Sequence, residues 1–517
     1  MVEITAFGGV KEIGGNKFLV KTKSSSVLLD FGTSYEAEGC FFEEFLQPRS
    51  GCLLHDLIRL EIIPRINGIY RQDAFMPLGC AGMTIRGMKM WGLGMKSYEE
   101  AKAAKEWTPD AVFISHAHDD HFGYLPLLGN IPTICSKTTH NMMKAISDVG
   151  NLTGFEDQLT EMKLKRLGKF TSDQAFFKDE LKTDFDKVPV ERTPIILENG
   201  QSTDLNGMKL SVFGVDHSVP GALACLVEAE GKNVLYTGDI RFHGRHGYRL
   251  QDDLASLRPD VMLCEGTRID EKVPDNEWQV QTDLKEAIED SSGLVMVGFA
   301  WKDLDRYETV RNAAIDAGRI PVFDPRLAYL LARLDRDIYS EDSKVFLERT
   351  DSLLYSKGDY TTKKHKIGLL PYCEWDKKTK KCGTEHYDKG ISAIEIRKNP
   401  EKYVVQLDYF RFKNILDFEP PEGSVFVRAQ CEPFNKRMEL SEVKLKAWLK
   451  HFGINAEYSF EPLQIHASGH ASGPEIQEFI DAIEPKVLIP IHTRFPELFK
   501  NEAGKVKELD KGNPFSF

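Results

Sequence analysis

The sequence contains no apolar run of about 18 residues, so no membrane-spanning helix is expected. Its opening, MVEITAFGG, lacks a basic stretch followed by an apolar one, so no secretory signal is visible. An excess of positive charge is also missing. Lys and Arg number 67 against 79 Asp and Glu, a formal net charge of −12, which excludes a broadly basic nucleic-acid-binding face. Cysteine is sparse: nine residues, dispersed from Cys40 to Cys431, which argues against a disulfide framework and for a reducing cytoplasm. No internal repeat or low-complexity tract is present. What remains is an ordinary globular composition, 41% hydrophobic and 28% charged, over 517 residues. That length suits two large domains or about three smaller ones.

The first thirty residues read as strands at 2–7, 16–20 and 26–31. Residues 33–109 read as an insertion with short helices, and 140–200 as helical and charged. Further strands are expected at 110–115, 208–216, 223–229, 233–237 and 260–264. From about residue 292, strand and helix alternate: 294–300, a helix capped by Asp303 and closed by Gly318, then 320–323. That is a βαβ unit and predicts a parallel sheet. Residues 340–400 read as charged loop, including the basic run Lys377–Lys381. Cys373, Cys382 and His386 form a weak candidate metal site within it. A helix is expected from Ser441 to Gly453, a strand at 463–466, a helix opened by Pro474, and a last strand at 487–491.

Chemistry concentrates in Ser115-His116-Ala117-His118-Asp119-Asp120-His121, directly after an apolar strand. Extended residues two apart point the same way, so His116 and His118 can reach one metal. A turn then lets Asp120 and His121 reach a second. Imidazole and carboxylate donors suit zinc, with manganese the lesser option. More ligands are available at later strand ends: His217, Asp239 and His492, with Asp30 ending an earlier strand. Arg241, His243 and His246 follow Asp239 closely and read as structural neighbours of the site. The loop His466-Ala467-Ser468-Gly469-His470-Ala471-Ser472 precedes the helix opened by Pro474, where free backbone N–H groups offer a phosphate site. Ser468, Ser472 and the amides of Gly469 and Ala471 are its candidates, with His466 beside them.

These motifs resemble the metallo-β-lactamase fold, in Asp30, His116-x-His118-x-Asp120-His121, His217 and Asp239. Gly8-Gly9, Glu12-Ile13-Gly14 and Asn16 resemble its nucleic-acid-processing members. Cys264-Glu265-Gly266-Thr267, the 466–472 loop and Ile489-Pro490-Ile491-His492 are similar to the β-CASP branch, with ribonuclease J and its archaeal relatives the nearest likeness. Gly266 departs from the serine common at its place. Only a short tail follows His492, so the C-terminal domain of bacterial ribonuclease J is expected to be missing.

The resemblance implies an α/β protein: a metallo-β-lactamase αββα sandwich, residues 1–267 and 439–517, interrupted by an inserted β-CASP domain at 268–438. It implies a ribonuclease hydrolysing phosphodiesters through a hydroxide held by two Zn2+ (Mn2+ the alternative), of 5′→3′ exonuclease type with endonucleolytic cutting open. His116, His118 and His217 would hold one ion, Asp120, His121 and His492 the other, with Asp239 bridging. His470 would be the general acid, so that His470, Asp120 and Asp239 carry the chemistry. Asp30 and Glu265 would orient metal-bound histidines. The expected partner is single-stranded RNA with a 5′-monophosphate, in the cytoplasm and away from membranes, with a homodimer compatible. Three alternatives stay open: a DNA nuclease, a small-molecule lactonase or thioesterase, and an idle RNA-binding subunit. The last predicts broken metal motifs, and none is broken.

Overall fold

The computed structural model describes residues 1–43, 45–49, 52–75, 93–149, 159–169, 181–190, 192, 194–245, 253–254, 257–272, 276–348, 389–431, 433, 436–460 and 464–517. Two seven-stranded sheets face each other. The first runs Pro514–Ser516, Glu3–Gly8, Lys17–Lys21, Ser26–Leu29, Ala111–Phe113, Thr133–Cys135 and Pro194–Ile196. The second runs Lys505–Val506, Val487–Ile491, Val261–Glu265, Lys232–Tyr236, Leu223–Ala229, Met208–Gly214 and Ser202–Leu205.

Alternation along the strands explains the layers. Phe18, Val20, Val27, Leu29 and Phe113 point from the first sheet into a core shared with Val212, Cys225, Val227, Tyr236 and Leu263 of the second. Their sequence neighbours Leu19, Leu28, Val112 and Ile114 point outward, into a core that also holds Leu54, Leu57 and Met142. On the other outer face, Leu235, Met262 and Leu488 pack with Ile476, Phe479, Ile480 and Ile483 of the helix Gly473–Ile483. The result is an αββα sandwich, because both faces of both sheets are apolar.

A third, six-stranded sheet lies between Glu265 and Gly473 in sequence: Ile391–Ser392, Lys344–Leu347, Ile320–Phe323, Tyr403–Gln406, Val295–Gly298 and Val425–Arg428. Its strand pairs are all parallel, as its buried runs require. Asp303 caps the helix Leu304–Asp316 by accepting from Arg306 N, and Gly318 follows at φ 72°. The strand Tyr403–Gln406 separates the two strands of the expected βαβ unit.

Several expectations need correction. Residues 159–169 and 181–190 are not helical. Leu159–Lys169 and Leu181–Val190 are antiparallel strands. Leu181, Thr183 and Phe185 alternate with Lys182, Asp184 and Asp186, a period of two hidden by charge. The 33–109 stretch carries the expected short helices, Tyr35–Phe41, Leu53–Arg59 and Tyr98–Ala103, and its Leu54, Leu57, Ile58 and Tyr98 are core residues. The helix expected at Ser441 starts at Lys436. Ser441 Oγ bonds back to Arg437 O at 3.0 Å, so it sits inside the helix instead of capping it. Residues 464–466 form no strand. Side chains hold this segment instead, among them Gln464 Nε2, which donates to Gln430 O at 2.7 Å. Lys377–Lys381, Cys373, Cys382, His386 and His246 lie outside the described residues. Among the described residues, no helix is long and apolar enough to cross a membrane.

Phe113 is fully buried between the facing sheets, edge-on to Tyr236 with ring centroids 6.5 Å apart. Phe113→Ala is expected to cost about 3–5 kcal/mol, read as a lower urea midpoint; a change under about 1 kcal/mol would contradict this packing.

Candidate metal centre

Parallel strands end on the same edge. Lys232–Tyr236, Val261–Glu265 and Val487–Ile491 are parallel neighbours, and Met208–Gly214 runs in the same direction two antiparallel steps away. Asp239, Glu265, His492 and His217 therefore collect at one edge of the second sheet. Ser26–Leu29 and Ala111–Phe113, also parallel, deliver Asp30 and the 115–121 loop from the first. Asp30 and His492 both turn the chain at positive φ, 56° and 52°. These left-handed residues end their strands sharply.

The metal loop is held by backbone. Phe31 N donates to His121 O at 2.8 Å, Thr33 N to Asp119 O at 2.8 Å, and Asn16 N to Asp120 O at 3.1 Å. So close is this approach that a Cβ on Gly32 would lie 1.6 Å from Asp120 O, and one on Gly14 would lie 2.8 Å from Asp120 Oδ2. The glycine-rich opening of the chain is thereby explained.

All seven expected ligands converge. His116, His118, His217 and Asp239 form one group and Asp120, His121 and His492 another, the ligand atoms of each within 4.8 Å of one another. His118 Nδ1 stands 3.1 Å from His116 Nε2 and 3.0 Å from His217 Nε2. Asp239 Oδ2 lies 3.1 Å from His121 Nε2, 3.5 Å from His116 Nε2 and 3.8 Å from His217 Nε2, and Oδ1 lies 3.9 Å from His492 Nε2. One carboxylate thus touches both groups.

A cation fits this arrangement. His217 Nδ1 donates to Gly469 O at 2.6 Å, so its Nε2 keeps a lone pair and aims it at His118. His121 Nε2 and Asp239 Oδ1 are buried with no hydrogen-bond partner among the described residues. Unpaired donor atoms turned towards one another in a dry site are what a divalent metal satisfies.

The histidines differ in charge. Burial pushes His118 down to about 4, and burial together with neighbouring imidazoles holds His116 and His217 well below the usual range. Burial works on His492 and His121 too, but there the Asp239 and Asp120 carboxylates outweigh it. His492 is raised to about 9, and His121, which also faces Asp30, is well above its ordinary value.

Supporting residues set the tautomers. Asp30 is fully buried. It accepts from Ser115 N and Oγ, each at 2.7 Å, from His121 Nδ1 at 2.7 Å, and from the Tyr236 hydroxyl. Its bond to Nδ1 fixes the His121 ring. Glu265 differs: it touches no histidine of the two metal groups' expected ligands. It accepts from Ile240 N at 3.1 Å, Thr267 N at 2.9 Å and His470 Nδ1 at 3.0 Å. His492 is oriented instead by Thr267 Oγ1, 2.7 Å from Nδ1, a residue sequence reasoning passed over although it follows Glu265 by two. His243 joins Ser468 O at 3.0 Å and Glu475 at 3.1 Å. Arg241 is buried on Asp216.

The helix-start phosphate site needs correction. The Glu475 carboxylate already occupies it, bonded to Ser472 N and Oγ, each at 2.8 Å, as a capping box. Ala471 N donates to Ile240 O and Gly473 N to Glu271 O. Ser472 and the Ala471 amide are therefore spent on the fold. Ser468 Oγ accepts from His470 N at 3.2 Å. His466 is more informative: Arg306 Nη1 donates to its Nδ1 at 3.3 Å, so the ring proton sits on Nε2, which is buried with no hydrogen-bond partner among the described residues.

Residues 79–263 match the profile of the metallo-β-lactamase superfamily, and residues 463–502 that of a Zn-dependent metallo-hydrolase RNA specificity domain. The chain resembles the metallo-β-lactamase superfamily, and the profile covers 185 of its 517 residues. Proteins named ribonuclease J are its curated relatives. That of Methanocaldococcus jannaschii is 22% identical, over 96% of this chain and 92% of the relative. That of Sinorhizobium meliloti is 22% identical, over 80% of this chain and 62% of the relative. The chain thus spans less than two thirds of the Sinorhizobium protein. A crystal structure from Enterococcus faecalis V583, described as a protein of unknown function, shares the fold with TM-score 0.68 at 19% identity, covering 99% of both chains.

Two outcomes are expected of this superfamily site. Gly32→Ala will push the 119–121 backbone away, lowering both thermal stability and metal content; full metal occupancy in the variant would contradict the role given to this contact. The second concerns protons. A ligand must be unprotonated to bind, so at pH 7 a metal taken up by Asp120, His121 and His492 would expel at least one proton, and its affinity would rise towards pH 9. An ion taken up by His116, His118 and His217 would expel almost none, because His118 is already neutral above about pH 5. Calorimetric titration in buffers of different ionisation enthalpy distinguishes them; equal proton release at both steps would contradict the assignment.

Proposed function

We propose that the chain is a metal-dependent ribonuclease of the ribonuclease J type, in the β-CASP branch, with zinc as its ion. On this reading residues 1–267 and 439–517 form the metallo-β-lactamase domain and 268–438 the inserted β-CASP domain. The relatives' names and the RNA-specificity profile at 463–502 support RNA as substrate. So do the donor chemistry and the burial of the site: three imidazoles in one group suit zinc. Every ligand comes from one chain, so an oligomer is not needed to complete the centre. The free thiols among the described cysteines go with a reducing cytoplasm.

The observation that carries the reading is the position of His470. Its Nδ1 is 3.0 Å from Glu265 and 3.9 Å from Asp239, and its ring lies 5.2 Å from His217 and 5.6 Å from His492 between centroids. The bond from Nδ1 to the buried Glu265 carboxylate fixes the ring and leaves Nε2 to carry a proton to the leaving group. The bound metal pair would supply an activated water and neutralise charge on the phosphoryl oxygens. His470 delivers a proton to the 3′-oxygen as its bond to phosphorus breaks, leaving a 5′-phosphate and a 3′-hydroxyl. Asp239 and Asp120 would help hold the ions, and Asp30, Thr267 and Glu265 fix the imidazoles. His466 Nε2–H, with Ser468 and Gly469, offers the substrate's 5′-monophosphate a buried donor, and this favours 5′→3′ exonucleolytic cutting.

The test uses 5′-labelled single-stranded RNA with a mono- or triphosphate end, in zinc or manganese. Wild type is expected to release mononucleotides from the monophosphate RNA. His118→Ala is expected to lose activity, and His470→Ala to lose about 10²–10⁴-fold in kcat. Internal fragments appearing first would refute the exonuclease mode. Turnover of DNA alone, or of a lactone or thioester without RNA cleavage, would refute the ribonuclease.

A further inference from the structure

A second buried polar assembly sits where the helix Leu304–Asp316 meets the two-sheet sandwich. Arg306, with a side chain 1% exposed, spends its whole guanidinium there. Nε and Nη2 donate to the two Glu277 oxygens at 2.9 and 3.0 Å. Nη2 also donates to Ala467 O at 2.9 Å, and Nη1 to Ala429 O and His466 Nδ1. Ala467 and His466 belong to the loop that carries His470.

The preceding residue faces a different loop. Asp305 accepts from Arg241 Nη2 and, at 3.0 Å, from Arg245 N. Arg241 in turn donates from Nε to Asp216 at 3.1 Å and from Nη2 to His217 O at 3.2 Å. One helical turn of the third-sheet unit therefore holds both His217 and the 466–470 loop. Apolar side chains could fasten two units together at less desolvation cost. What a planar guanidinium adds is direction, because its fork fixes the carbonyls it binds.

We propose that Asp305 and Arg306 are positioning residues of the metal centre. Asp305, acting through Arg241, sets the place of His217, and Arg306 sets that of the 466–470 loop and so of His470. The third-sheet unit is then part of the catalytic geometry. The turnover part rests on the ribonuclease reading; the metal part does not.

The full chain is compared with Asp305→Asn, Arg306→Lys and Val310→Ala. Val310 is a buried apolar residue of the same helix that makes no polar side-chain contact, so it reports destabilisation alone. Zinc affinity is read against a competing chelator, kcat and KM on 5′-monophosphorylated RNA, and stability from the thermal midpoint. Asp305→Asn is expected to weaken one zinc by about 10-fold or more, the range for residues that orient a ligating histidine. Arg306→Lys is expected to lose at least about 10-fold in kcat and to raise KM, because His466 moves with the loop, while its zinc affinity falls less than that of Asp305→Asn. Val310→Ala lowers the midpoint and leaves zinc affinity and kcat unchanged. Wild-type zinc affinity and kcat in both polar variants overturn the proposal, as do losses in Val310→Ala equal to theirs. Where a polar variant does not fold, Asp305→Glu and Arg306→Gln are read in the same way. If wild type cleaves no RNA, the ribonuclease reading fails by itself. Zinc affinity in Asp305→Asn then decides: a loss sustains the positioning role, and wild-type affinity ends it.

Discussion

Asp239 is a buried carboxylate whose charge is answered by imidazoles. His116, His121, His217, His470 and His492 all approach within 4 Å of it. A lone ionised carboxylate in a dry interior is costly, and here the compensation must come from cations. The surroundings answer that demand unevenly. His121 and His492 are held towards the charged form, while His116, His118 and His217 are held neutral by burial. The neutral group is ready to bind metal and the charged group must first be discharged. A single carboxylate between them couples the two halves of the centre.

That arrangement needs a rigid frame, and the two sheets supply it. Strand ends from both sheets arrive at one edge, and the metal loop is pinned to residues 31–33 and to Asn16 by backbone bonds that leave no room for a Cβ at Gly32. Behind the ligands stand side chains with fully used hydrogen-bonding capacity. Asp30 takes four donors, and Thr267 and Gly469 O each fix one histidine. A second buried network, centred on Arg241 and Arg306, ties the same loops to the third sheet. The net charge of −12 is compatible with such a site, because the charges that matter are local and paired.

Much of this was legible in the residues. His-x-His-x-Asp-His after an apolar strand marks its own chemistry, and apolar runs ending in His217, Asp239 and His492 mark their own edges. Other features were obscured. The charged strands 159–169 and 181–190 read as helix because their apolar period is diluted. Ser441 resembles a cap by type but bonds back along a helix already begun. The loop before Pro474 looked open to phosphate, whereas Glu475 folds back and closes it.

Local pattern by itself therefore determined the ligand types and the strand ends that carry them, because those depend on period, composition and spacing, while the αββα class was implied by the resemblance of the motifs. Tertiary structure decided which neighbour each side chain serves. Glu265 faces His470, Thr267 takes His492, and Arg306 reaches His466 and Ala467 from another sheet. Those pairings join residues as much as 225 positions apart, and only packing in three dimensions selects among so many available partners.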